Sequence, residues 1–194
     1  TSIVTVEDNV NPVAVCKDIT LYLDATGGAS ISLSQASFLG GSSTDNCSIK
    51  NMEISDWDFT CLDTGANTVT LTVTDSSGNS SFCNSTVTVL DTTAPMAMCQ
   101  DVTVYLNAIG SASIIVGDVD NGSSDNCAIS TMTISQSSFD CSHLGANTVI
   151  LTVTDASGNV STCTSTVTVI DNMAPNAICQ DITVYLDATG NATI

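Results

Sequence analysis

Two kinds of side chain in this sequence are numerous enough to do chemistry: cysteines and carboxylates. There are nine cysteines, at positions 16, 47, 61, 83, 99, 127, 141, 163 and 179. Thiols in such numbers either bind zinc or pair as disulfides. Tetrathiolate zinc usually shows close Cys-x-x-Cys pairs, and the sequence has none. Disulfides are therefore expected, and with them an oxidising, extracellular setting. Acids number 20 against two basic residues, Lys17 and Lys50, for a formal charge of -18. Self-repulsion at that charge opposes a compact state, so bound cations are the first partner to consider. Asp and Asn recur at Asp8, Asp45, Asn46, Asp75 and Asn79, and again at Asp91, Asp125, Asn126, Asp155 and Asn159. Carboxylate and amide oxygens together form a calcium ligand set.

The same inventory excludes other chemistry. Two lysines and no arginine cannot form the basic face that nucleic acid or an anionic membrane requires. No Gly-rich loop opening a helix is visible to hold phosphate. His143 is the one histidine and lacks obvious triad partners. It aligns with Asp63 of a neighbouring repeat and reads as an exposed loop residue. Glu53, Asp56 and Asp58 could suggest paired catalytic carboxylates, but the aligned residues are Thr133, Gln136 and Ser138, so an exposed strand face is expected. Trp57 aligns with Ser137 and reads as a filler rather than a sugar platform. No enzyme is expected. With 43% hydrophobic residues and a mean hydropathy of +0.30, the chain can bury a core.

The elements that position these residues come in repeats. Cys16-Lys17-Asp18-Ile19-Thr20 recurs as Cys99-Gln100-Asp101-Val102-Thr103 and as Cys179-Gln180-Asp181-Ile182-Thr183. Gly65-Ala66-Asn67-Thr68-Val69 recurs from Gly145, and Asp75-Ser76-Ser77-Gly78-Asn79 from Asp155. Residues Thr1–Asp8 match Thr164–Asp171. This predicts the last strand of a preceding repeat over 1–8, full repeats over 9–91 and 92–171, and the first strands of a following repeat over 172–194. Either the parent is longer, which is the favoured expectation, or neighbouring chains complete one another head to tail.

Within a repeat the pattern is that of strands. Val69, Leu71 and Val73 alternate with threonines, as do Val87 and Val89. Period-2 alternation of β-branched residues marks half-buried antiparallel strands. Ile19, Leu21 and Leu23 alternate likewise, which places Tyr22, Tyr105 and Tyr185 outward. Asp75–Asn79 has the composition of a hairpin loop. Helical periodicity is absent. About seven short strands in some 80 residues predict an all-β fold of tandem immunoglobulin-like sandwiches. Short Pro-containing junctions, at Asp91–Pro95 and Asp171–Pro175, stiffen the array.

Each full repeat holds four cysteines, and sequence alone leaves three pairings open. In a sandwich the first and last strands run side by side and parallel. Cys16 precedes the first and Cys83 is read as preceding the last. That predicts Cys16–Cys83 and Cys99–Cys163, and leaves Cys47–Cys61 and Cys127–Cys141 for the second pair. Cys179 should find its partner outside these 194 residues.

The order of Cys-x-Asp-Ile, Asp45-Asn46-Cys47, Thr74–Asn79, and Cys83 before Thr86-Val87-Thr88-Val89 resembles the hyalin (HYR) repeat. The variant arrayed in giant cell-surface adhesins of gliding Bacteroidota is especially similar. The resemblance implies an immunoglobulin-like fold, dedicated export, and a role in adhesion or surface fibres. Two features depart from it. The usual proline after the first cysteine is Lys17, Gln100 or Gln180, and Cys61 and Cys141 stand where the common pattern has an earlier cysteine.

In this fold one pole collects the entering linker, the loop between the second and third strands, and the last hairpin loop. That would bring Asp8, Asp45, Asn46, Asp75 and Asn79 together, and Asp91, Asp125, Asn126, Asp155 and Asn159 in the next repeat. Two readings stand side by side: a calcium ion at each junction, or ordinary turn chemistry with diffuse counter-ions. The function expected is that of a structural stalk or filament segment of a cell-surface adhesin. Its partners are neighbouring repeats or identical chains, with surface glycans or proteins as further candidates. The alternative is an adhesive module that holds carbohydrate or protein at a loop pole. No nucleic acid and no membrane insertion are expected.

Overall fold

The computed structural model describes residues 1–32, Gln35 and 43–194. The alternation seen in the sequence becomes two long hairpins. In the first module β5 (Gly65–Asp75) pairs antiparallel with β6 (Ser80–Leu90). Val69, Leu71 and Val73 of β5 face inward with Val87 and Val89 of β6, all nearly fully buried. β1 (Ile19–Tyr22) adds to β6 in parallel, with Ile19 opposite Val87 and Tyr22 opposite Leu90. β3 (Ile49–Ile54) adds antiparallel to β5. The resulting sheet has the order β1-β6-β5-β3. A second, two-stranded sheet of β2 (Gly28–Ser30) and β4 (Asp58–Thr60) closes over it. Leu21, Leu23, Ile31, Ile54 and Phe59 complete the core between them.

The second module repeats this plan. β7 (Val102–Tyr105), β12 (Val160–Ile170), β11 (Gly145–Asp155) and β9 (Ile129–Ile134) form the larger sheet in that order. β8 (Ser111–Ser113) and β10 (Ser138–Asp140) form the smaller. The core is Val149, Leu151, Val153, Val167 and Val169 against Leu106, Ile114 and Phe139. The molecule is thus a tandem of disulfide-stapled immunoglobulin-like sandwiches. Tyr22, Tyr105 and Tyr185 are exposed.

Asp18 and Asp101 fasten the edge strands. Each accepts a backbone N–H from the last strand, Thr86 or Thr166, at 2.7 Å. Ser85 and Ser165, both buried, donate to the carbonyls of Lys17 and Gln100 at 2.7 Å. Beside these contacts sit the disulfides Cys16–Cys83 and Cys99–Cys163, each with Cα atoms 5.8 Å apart. Cys83 lies inside β6, opposite Leu71, and not ahead of the last strand, because that strand begins at Ser80.

Three details differ from the sequence reading. Short helical pieces occur at Val116–Val119 (α1) and in 3-10 turns at Cys61–Asp63 and Cys141–His143. Three or four residues are too few to register as a period. The expected pairs Cys47–Cys61 and Cys127–Cys141 do not form; Cys61 is joined to Cys127, and Cys47 and Cys141 carry exposed thiols. The reason is geometric. β3 and β4 do not form a hairpin with each other; β3 pairs with β5 and β4 with β2. Cys47 lies next to the Asp75 end of β5, and Cys61 next to its Gly65 end. Those ends are separated by an 11-residue strand, about 33 Å at ~3.3 Å per residue. A disulfide needs Cα atoms within about 7 Å. The same argument separates Cys127 from Cys141. Finally, residues 1–8 and 172–194 carry no strand. No helix among the described residues is long and apolar enough to cross a membrane.

Candidate metal centres at the module poles

Asp75 ends β5 and opens the tight turn to β6. Gly78 supplies the left-handed step there, at φ 97°. The Asp75 carboxylate accepts from the backbone N–H of Ser77 (2.9 Å) and Asn79 (2.8 Å) through Oδ1, and from the Asn79 side chain (2.8 Å) through Oδ2. The same Asn79 amide donates to the carbonyl of Asp8 at 2.9 Å, tying the entering linker to the hairpin. Asp45 accepts from the N–H groups of Cys47 (2.8 Å) and Ser48 (3.0 Å). Asp8 accepts from Val10 N–H (3.0 Å) and from the Asn46 amide (3.2 Å). Local turn chemistry therefore aims three carboxylates at one point. Asp8, Asp45 and Asp75 each bring a carboxylate oxygen within 4.8 Å of the others.

Asp91, Asp125 and Asp155 converge in the same way. Asp155 is 2% exposed and accepts from Ser157 N–H, Asn159 N–H and the Asn159 side chain. Asn159 also donates to the carbonyl of Asp91 at 3.2 Å. Asp125 caps the N–H of Cys127 at 2.9 Å. Asp91 is 6% exposed and receives the Asn126 amide at 3.3 Å. Asn79 and Asn159 thus brace the clusters as donors.

Each cluster has buried oxygens with no hydrogen-bond partner. They are Oδ2 of Asp8 and Oδ1 of Asp45 in the first, and Oδ2 of Asp91, Oδ1 of Asp125 and Oδ1 of Asn126 in the second. Two carboxylates about 5 Å apart repel by roughly 3 kcal/mol at an effective dielectric near 20. Buried lone pairs without partners add a desolvation cost of about 1–3 kcal/mol each. A hard divalent cation relieves both. Burial raises the tendency of Asp75 to hold its proton, but the bonds from Asn79, Gly78 and Ser77 outweigh it, and its carboxyl titrates below the usual range. Asp8 is also lowered, chiefly by Val10 N–H, then by Asn46 and the Cys47 thiol. That hydrogen bond to Asp8 and the nearby Asp8 charge push the Cys47 thiol up.

The second cluster sits at the joint between modules. Asp91 follows the last strand of the first module; Asp125 and Asp155 belong to the second. Cys127, two residues from Asp125, carries the Cys61–Cys127 disulfide, with Cα atoms 5.4 Å apart. Asn126 donates back to the carbonyl of Asp24 at 3.0 Å. Sequence reasoning missed the turn that receives it. Asp24 accepts from Thr26 N–H, Thr26 Oγ1 and Gly28 N–H. Gly27 adopts φ 77°, and a Cβ there would lie 2.6 Å from Cys61 Sγ and 2.7 Å from the Asn126 carbonyl oxygen. The available signal was the recurrence of Asp24-Ala25-Thr26-Gly27 as Asn107–Gly110 and Asp187–Gly190.

The remaining candidates lie elsewhere. His143, half-buried in a largely exposed 3-10 turn, has Nδ1 2.8 Å from Asp140 and meets the Phe139 ring edge-on. Glu53, Asp56 and Asp58 are exposed, and Trp57 is partly so.

Residues 90–169 match the HYR domain family. The match covers the second module and less than half of the chain. Among solved structures, the human protocadherin-24 EC1-2 fragment is similar at 14% identity and a TM-score of 0.43, over 85% of this chain and 100% of that one. The protocadherin GammaB4 extracellular domain is similar at 16% identity and a TM-score of 0.40, over 84% of this chain and 32% of that one. Mouse clustered PcdhgC3 EC1-3 is similar at 14% and 0.37, over 83% and 68%. The chain spans a third to a half of the first solved structures it matches.

Proposed function

We propose that this chain is a non-catalytic segment of an extracellular repeat array that spans distance, with a calcium ion stiffening each joint and a disulfide tying the joint between its two full repeats. The repeats run over 9–91 and 92–171, with the end of one repeat at 1–8 and the start of another at 172–194. A cell-surface adhesin or filament of the kind carried by gliding Bacteroidota is the setting that the repeat order supports. Neighbouring repeats are the partners.

The observation that carries this reading is the joint itself. Within Asp125-Asn126-Cys127 the second module offers a carboxylate to the Asp91–Asp155 cluster, a hydrogen bond to Asp24 and a disulfide to Cys61. Calcium binds oxygens at about 2.3–2.6 Å, so two of its ligands lie at most ~5 Å apart. The carboxylate oxygens of each cluster fall within 4.8 Å of one another. Asp91, Asp125 and Asp155 would hold the ion at the joint, with the unpartnered Asn126 oxygen beside them. Asp8, Asp45 and Asp75 would hold one at the other pole. The donors are hard oxygens, which suits calcium rather than zinc.

Thermal unfolding with calcium and with chelator tests this. At a hundredfold excess over Kd a bound ion adds about 2.7 kcal/mol, which for a module of this size raises Tm by roughly 10–20 °C. Asp125→Asn should remove most of the increment in the second module. An identical Tm in calcium and chelator would eliminate the ion.

A further inference from the structure

Cys47, Cys141 and Cys179 are left over when the three disulfides are assigned, and the surroundings of Cys47 and Cys141 reproduce the two sides of the joint. Cys61 opens a 3-10 turn after β4, with its sulfur 3.6 Å from the carbonyl oxygen of Gly27. Cys141 opens the matching turn after β10, with its sulfur 3.9 Å from the carbonyl oxygen of Gly110. Gly27 and Gly110 share the left-handed conformation, at φ 77° and 72°. A Cβ on Gly110 would lie 2.9 Å from Cys141 Sγ, as one on Gly27 would crowd Cys61. On the other side, Cys127 follows Asp125-Asn126 and donates its N–H to Asp125 at 2.9 Å. Cys47 follows Asp45-Asn46 and donates its N–H to Asp45 at 2.8 Å. The thiols of Cys47 and Cys141 are exposed. Cys141 is therefore a second copy of the Cys61 half-site, and Cys47 a second copy of the Cys127 half-site. In the one place where two such half-sites face each other, they are bonded.

We propose that Cys141 forms a disulfide with the Asp-Asn-Cys cysteine of a following module of this type, and Cys47 with the turn cysteine of a preceding one. Every joint is then covalently stapled, and each module is linked to both neighbours. The partner is another copy of the same module. Bond formation removes two electrons and two protons from the two thiols. A small-molecule disulfide such as oxidised glutathione accepts them; its S–S bond breaks to two thiols as the Sγ–Sγ bond forms. Calcium is not required, since the half-sites are built from backbone turns.

The test is to insert a second copy of residues 92–171 after Asp171 in the full chain, which places a Cys127 equivalent opposite Cys141. The protein is oxidised with glutathione in chelator, denatured without reductant, alkylated and weighed. The parent chain should take up three alkyl groups, on Cys47, Cys141 and Cys179. The extended chain should also take up three, because Cys141 and the inserted cysteine are consumed together; five would overturn the proposal. Cys141→Ser in the first copy excludes pairing within the inserted module. It should raise the uptake to four, whereas a drop to two would show that pairing and refute the proposal. Because the assay runs in chelator, its failure and the failure of the calcium reading are separate results.

Discussion

A carboxylate as buried as Asp75, at 0% exposure, persists only where its lone pairs are met. Three donors from its own turn do this, and they hold its titration below the unfolded value of 3.8. The folded value lies below the unfolded one, so the unfolded chain binds the proton more readily. The stabilisation is present above about 3.8 and disappears as pH falls through the depressed folded value. Asp8, Asp24, Asp120 and Asp140 are shifted in the same direction by their own hydrogen bonds. Denaturation in urea and chelator should therefore show a constant midpoint from about pH 7 to 5 and a fall below about pH 4. Asp75→Asn should flatten part of that fall. At this scale the sequence was informative about Asp8, Asp45 and Asp75, because Asp-x-x-Gly-Asn and Asp-Asn-Cys are turn motifs whose side chains bond locally. It was silent on which side-chain oxygens stay unpartnered, since that depends on three separate loops meeting.

β5 with β6 and β11 with β12 are the elements that the sequence specifies most firmly. Val and Leu at every second residue allow one register only, as a slip by one would turn the buried face outward. The edge strands β1 and β7 are four residues each and depend on what ties them down. The Cys99–Cys163 disulfide closes a separation of 64 residues beside β7. Replacing both cysteines by alanine should cost the second module about 4 kcal/mol in the chain-entropy model, read from chemical denaturation of the oxidised protein. A change under about 1 kcal/mol would mean that Asp101 and Ser165 hold the strand alone. The partners of Cys61 and Cys127 were not legible, because pairing was sought within a repeat. The strand β5 holds Cys47 and Cys61 at opposite ends, and only the topology of β3 and β4 reveals it.

The two modules meet through a short linker, a disulfide, the hydrogen bond from Asn126 to Asp24, and an acidic cluster drawn from both. Repetition in the sequence foretold that modules would follow one another. It did not foretell a covalent cross-link between them, which is a property of neither repeat alone. Three contacts made by the consecutive residues Asp125, Asn126 and Cys127 hold the second module to the first beside the linker and restrict its bending. Small-angle X-ray scattering compares this directly. The oxidised chain in calcium should give one narrow pair-distance distribution, and Cys61→Ser in chelator should give a broader one as the joint bends. Superimposable curves from the two samples would contradict a joint stiffened by its disulfide and its cation.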